Sequence, residues 1–208
     1  MKNFIKTEIK NTKNMKNIII VILSLIVSVT ANSQDFGKEI AKAAQERTKH
    51  FVVYDGSYKK LDYPNGDVDN NRGVCVDVVI RSYRNAHNID LQKYVHEDIV
   101  KNFDKYPQLW DMKGPDKNID HRRTQNLEYF LTKQGAKLPA TKNPEDYKPG
   151  DIVFWGEIGF GHVGIVSDNT SFFSEVPLVI HNIGWGVREE NFLFGSRITG
   201  HYRWNPKS

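Results

Sequence analysis

Pro149-Gly150-Asp151-Ile152-Val153-Phe154-Trp155, and after the loop from Gly156 to Gly161 the run His162-Val163-Gly164-Ile165-Val166-Ser167-Asp168, is the stretch on which the fold turns. Pro-Gly-Asp sets a tight turn, because proline fixes φ, glycine admits positive φ and aspartate bonds nearby backbone. The apolar, β-branched runs that follow have strand length, and the short glycine-bearing loop joins them as a hairpin. His162 opens the second strand beside that loop, where a side chain can face a cleft. A third strand, Leu178-Val179-Ile180-His181-Asn182, ends in another histidine and is followed by Gly184-Trp185-Gly186.

Upstream, Asp67, Asp69, Asn70, Asn71 and Gly73 make a turn-rich loop, after which Val76, Val79, Ile80 and Tyr83 recur at helical spacing. The spacing predicts a helix over Val74 to Asn85 with Cys75 in its first turn. Val78, Val79 and Ile80 would also suit a buried strand, but polar Asp77, Arg81 and Arg84 favour the helix. Further helices are expected over Gln34 to Phe51, over Asp90 to Tyr106 with Asp90 as cap, and over Thr124 to Gln134 with Thr124 as cap. A helix followed by antiparallel strands implies an α+β domain, with the Cys75 helix packed on the sheet.

The chain has 208 residues, 39% hydrophobic and 26% charged, which suits one globular domain and excludes disordered or fibrous classes. Lys2, Lys6, Lys10, Lys13 and Lys16 against Glu8 supply the whole net charge of +4. They precede the apolar run Ile18 to Val29, and small residues Ala31 and Ser33 follow it. A basic stretch, a short apolar run and a small-x-small exit read as a secretory signal peptide over 1–33, with one mature domain over 34–208. The alternative, a membrane anchor, needs about 20 apolar residues, more than this run offers. Export places the protein in the periplasm or outside the cell. The near-neutral remainder lacks the basic footprint of a nucleic-acid binder.

Cys75 is the only cysteine, so no intramolecular disulfide can form. A lone thiol is either a small buried hydrophobe or a nucleophile. Free backbone N–H groups and the positive end of the helix dipole would lower its pKa. A thiolate needs an imidazole to share its proton, and that imidazole needs a third polar group to fix its tautomer. Cys75, His162 and His181 are candidates for these roles.

In this order, the cysteine at a helix start, P-G-D-I-V-F-W, H-V-G-I-V-S-D and V-I-H-N resemble the NlpC/P-sixty superfamily of papain-like cysteine peptidases. The resemblance spans roughly Tyr54 to His181. It implies a papain-like fold, with Cys75 as nucleophile, His162 as base, His181 as third polar residue and Tyr63, twelve positions before the cysteine, on the oxyanion side. Departures are Val74-Cys75-Val76-Asp77 where the family has D-C-S-G, a longer gap between the two histidines, and an insert from Asn85 to Thr124. With Asn118 to Arg123 and the Gly200-His201-Tyr202 ending, the whole chain resembles most the exported domain-of-unknown-function 1287 family within that superfamily.

His121, Arg122 and Arg123, just before a helix start, could bind a substrate carboxylate or form a surface or buried structural cluster. Trp155 and Trp185 could wall a cleft or pack the core. The expected function is an exported cysteine amidase or peptidase acting on peptidoglycan stem peptides, monomeric and needing no cofactor or metal. The alternatives are a wall-binding module of the same fold without chemistry, and a zinc hydrolase using His121, His162 and His181.

Overall fold

The computed structural model describes residues 35–206 except 112, 157 and 160. The signal peptide expected over 1–33 lies outside the described residues. Helix α1 covers 35–48, α2 Cys75–His87, α3 Leu91–Asn102 and α4 Thr124–Lys133. Strands β1 (Val53–Tyr54) and β2 (Arg72–Gly73) form a short parallel pair. Strands β3 (Lys137–Leu138), β4 (Ile152–Trp155), β5 (His162–Thr170), β6 (Pro177–Asn182), β7 (Val187–Glu190) and β8 (Ile198–Tyr202) form the main sheet. Its order is β3-β8-β4-β5-β6-β7, antiparallel throughout. The architecture is α+β: among the described residues, four helices and a six-stranded antiparallel sheet.

The predicted hairpin is β4–β5, in a register that sets Ile152 opposite Ile165 and Trp155 opposite His162. Period-two alternation divides β4 between two cores. Ile152 and Phe154 join the larger cluster under the helices, and Val153 and Trp155 join a smaller one with Val166, Val179, Tyr147 and Leu193. The sheet is therefore covered on both faces, which explains why β4 is apolar at every position. Each such side chain contributes roughly 1.5–3 kcal/mol by leaving water.

Helix α2 presents Val76, Val79, Ile80 and Tyr83 to β5 and β6, all buried. Its start is fixed by Asp77, whose Oδ2 accepts the Val74 N–H at 2.6 Å and so satisfies a backbone donor outside the first turn. It ends where Asn88 adopts φ 56° and its N–H returns to the Arg84 carbonyl at 2.9 Å. Two caps differ from expectation. Asp90 precedes α3, but its carboxylate accepts the Asn65 N–H at 2.7 Å. Thr124 is the first residue of α4, with Arg123 at the cap position, so the threonine hydroxyl is available elsewhere.

Candidate functional site

Cys75 opens α2 and is 3% exposed. It lies on the floor of a cleft of about 620 Å³, which His162 also lines where β5 begins. Val163, Val76 and Thr124 lie close enough to the sulfur to work against the upward shift of its pKa. Consecutive Cα atoms are about 3.8 Å apart, so the contact from Val163 brings the His162 backbone alongside the sulfur. The Asn182 side chain donates to the Gly73 carbonyl at 3.2 Å, tying the end of β6 to the loop that delivers Cys75.

His162 Nε2 is 2.7 Å from His181 Nδ1. The register sets His181 opposite Gly164, where a Cβ would stand 3.1 Å from both the His181 Cβ and the Ile180 carbonyl oxygen. A side chain at 164 would crowd the strand that carries His181, so glycine suits the close approach of the two imidazoles. His181 Nε2 faces Glu190 Oε2 at 3.6 Å, and the carboxylate favours a hydrogen on that nitrogen. His181 Nδ1 is then the acceptor, so His162 donates from Nε2 and keeps a lone pair on Nδ1. This tautomer is assigned from the network. It leaves His162 Nδ1, which has no hydrogen bond among the described residues, as a base.

Burial sets the charge state. It pushes the His162 pKa down to about 3, with a smaller contribution from His181, and it lowers His181 against the opposing pull of Glu190. Burial also pushes the Cys75 thiol up, with Asp77 adding to the rise, against the hydrogen bonds from Val163, Thr124 and Val76. The helix-start effect expected to produce a thiolate is outweighed by desolvation. At neutral pH the pair is thiol and neutral imidazole.

The structure separates the remaining candidates. Tyr63 stands apart from the cleft, its ring edge-on to His96 at 5.4 Å and covered by Lys117. Tyr54 lines the cleft instead; burial and then nearby Cys75 push its hydroxyl up to about 12, so it remains a donor at physiological pH. Arg122 and Arg123 line the cleft. Arg122 is held by a buried two-point pair with Asp77, at 2.8 and 2.9 Å. Trp155 is 1% exposed, donates to the Leu193 carbonyl and backs the two histidine rings. Trp185 is 79% exposed and is not part of the lining. His121 is buried, its pKa pushed down to about 3 by burial and by Arg122, and it is not part of the lining either. Among the described residues no group of three or more His, Cys, Asp or Glu is disposed to hold a metal, so the trio His121, His162 and His181 does not assemble.

Sequence reasoning missed the two walls. One is Tyr54, Gly56 and Tyr58; the other is Trp110 and Ile119 from the insert. Tyr58 links them, donating to Asp116 at 3.0 Å and accepting from Asn118 at 2.9 Å. The clustering of tyrosines over 54–63 was the available signal.

Residues 41–204 match the model of a domain of unknown function, DUF1287. The chain is 48% identical over 183 residues to the uncharacterized protein YijF of Escherichia coli strain K12, a match covering 88% of this chain and 87% of that one. No solved structure matches. With nearly the whole described domain aligned to the family model and to a relative of similar length, the chain belongs to the DUF1287 family.

Proposed function

We propose that the protein is an exported cysteine hydrolase of papain-like type that cleaves amide bonds in peptidoglycan stem peptides. The observation that carries this reading is Cys75 at the start of α2, sharing a cleft with His162, which is hydrogen-bonded to His181 at 2.7 Å. The exported, wall-directed part rests on the leader-like amino terminus and the motif resemblance.

In the proposed reaction His162 Nδ1 takes the thiol proton as Sγ bonds to the substrate carbonyl carbon. The oxyanion is met by a backbone N–H at the start of α2 and by the Tyr54 hydroxyl. Collapse breaks the C–N bond, and the imidazolium returns its proton to the leaving amine. Water then adds to the thioester with His162 again as base, releasing the acid and the thiol. His181, held by Glu190, keeps His162 in the basic tautomer throughout.

The test is release of soluble fragments from purified sacculi. Cys75→Ala is expected to abolish it while the melting temperature stays within a few degrees, because a thiol-to-methyl change in the core costs about 1–2 kcal/mol. Full release by that variant would refute the reading. The second reading, a wall-binding module without turnover, is favoured by one observation, the 3% exposure of the thiol. Sacculus binding by a wild-type protein that releases nothing would select it.

A further inference from the structure

The cleft presents two arginines in different states. Arg122 is neutralised by Asp77, and its guanidinium also donates to the Asp55 and Ser57 carbonyls. Arg123 lines the same cleft, and among the described residues its side chain has neither hydrogen bond nor ion pair. Its guanidinium carbon lies 4.7 Å from the centre of the Trp110 ring. Partial burial pushes its pKa down against the pull of Asp120 and Asp116. Asp116 already accepts from Tyr58 and Asn118, and Asp120 accepts through Oδ2 from the Asp116 N–H with His96 alongside, its buried Oδ1 having no hydrogen-bond partner among the described residues. No Asp or Glu is among the described residues lining the cleft.

A guanidinium steadied on an aromatic ring with its donors unused matches a carboxylate through two parallel N–H···O bonds. We propose that Arg123, backed by Trp110, forms a subsite for a substrate carboxylate, so that the substrate class is an acidic peptide. Thr124, the next residue, lines the cleft with Cys75 and works against the rise of its pKa. The recognised carboxylate and the bond that Cys75 attacks then lie in one cleft. The proposal rests on the catalytic reading of the cleft and adds the charge that the cleft selects.

The experiment uses soluble stem peptides that differ only in whether one carboxylate is free or amidated, each carboxylate being tested in turn. With wild-type protein, amidation at one position near the scissile bond is expected to raise KM about ten- to a hundredfold, the range for a charge-assisted pair. In Arg123→Gln the discrimination between that free acid and its amide collapses towards unity, and Arg123→Lys restores part of it. Calorimetric titration of Cys75→Ala with the same peptides reads the subsite without turnover: about tenfold weaker binding of the amide supports it. Equal KM and equal affinity for every acid–amide pair would overturn the subsite and leave the nucleophile untouched. Unimpaired cleavage by Cys75→Ala would instead overturn the catalytic reading. Discrimination that survives intact in a folded Arg123→Gln also overturns the assignment.

Discussion

Asp77 and Arg122 offer the sharpest test of how the site is held. Their side chains are 3% and 2% exposed and meet at two points, and Asp77 Oδ2 also accepts the Val74 N–H just before Cys75. Asp77→Ala leaves Arg122 buried with two carbonyls at 3.2 and 3.4 Å, poor compensation for a full charge. Removing one partner of a buried pair costs about 3–5 kcal/mol, and losing the helix-start bond adds about 1 kcal/mol. For a domain of this size each kcal/mol shifts the melting temperature by about 2–4 °C, so Asp77→Ala is expected to melt roughly 10–20 °C lower. Arg122→Met strands the carboxylate and costs a similar amount. The double variant removes both charges, so its loss should be smaller than the sum by about 2 kcal/mol or more. Urea and thermal unfolding of the four proteins at pH 7 provide the cycle. Single losses under about 1 kcal/mol, or a double loss equal to the sum, would refute the claim that this pair joins the Arg122 wall to the start of α2.

Three further outcomes follow from the charge states. Because burial pushes the Cys75 thiol up, alkylation by iodoacetamide should rise about tenfold per pH unit from 7 to 9; a plateau already reached at pH 7 would contradict a protonated resting thiol. His162 and His121 are pushed down to about 3 by burial, against about 6.5 unfolded. The unfolded chain therefore binds more protons between those values, and their contribution to stability is full above 6.5 and lost as pH falls towards 3. Melting temperature should drop over that window, less steeply in His121→Gln, with at most about 1.4 kcal/mol per pH unit from each histidine; an unchanged slope would count against a buried neutral His121. Glu190→Gln should lower kcat on the order of ten- to a hundredfold with KM held, by freeing His181 to adopt the other tautomer; a fall in stability with kcat intact would make Glu190 merely structural.

The β4–β5 hairpin and the start of α2 were legible because both are local patterns: a turn dipeptide between apolar runs, and a 3.6-residue stripe beginning at a cysteine. Strands β7 and β8 were not, since Val-Arg-Glu-Glu and Ile-Thr-Gly-His-Tyr carry no apolar run. They are strands because a sheet edge is waiting for them. The same distinction runs through the site. His162 and His181 announce themselves by position on predicted strands. Tyr54 and Trp110 reach the cleft through irregular segments whose path depends on tertiary contacts such as Tyr58 with Asp116. The family resemblance pointed to Tyr63 by its distance from Cys75, but a count of twelve residues says nothing about which way a loop folds. Asp77 follows the cysteine, where the family's aspartate precedes it. In the fold it does separate work, capping α2 and neutralising Arg122.

In the reaction proposed above, burial of Cys75 and His162 has a cost and a use. A thiol with a raised pKa and an imidazole with a lowered one in the same cleft hold no standing thiolate, so a turnover of that kind would have to create charge where burial disfavours it. The compensation has to arrive with the substrate. A carbonyl entering the cleft supplies the electrophile and receives the negative charge as an oxyanion near Tyr54. The imidazolium formed on His162 can pass its positive field through His181 to Glu190, whose Oε2 is within 3.6 Å. For the exported protein proposed above, the same arrangement protects its one sulfur. Oxidants attack thiolates, and a buried, protonated Cys75 offers few. Residues that expose the sulfur without changing the imidazole pair, at Tyr54 or Thr124, should therefore make the protein easier to inactivate with peroxide before they make it a faster enzyme.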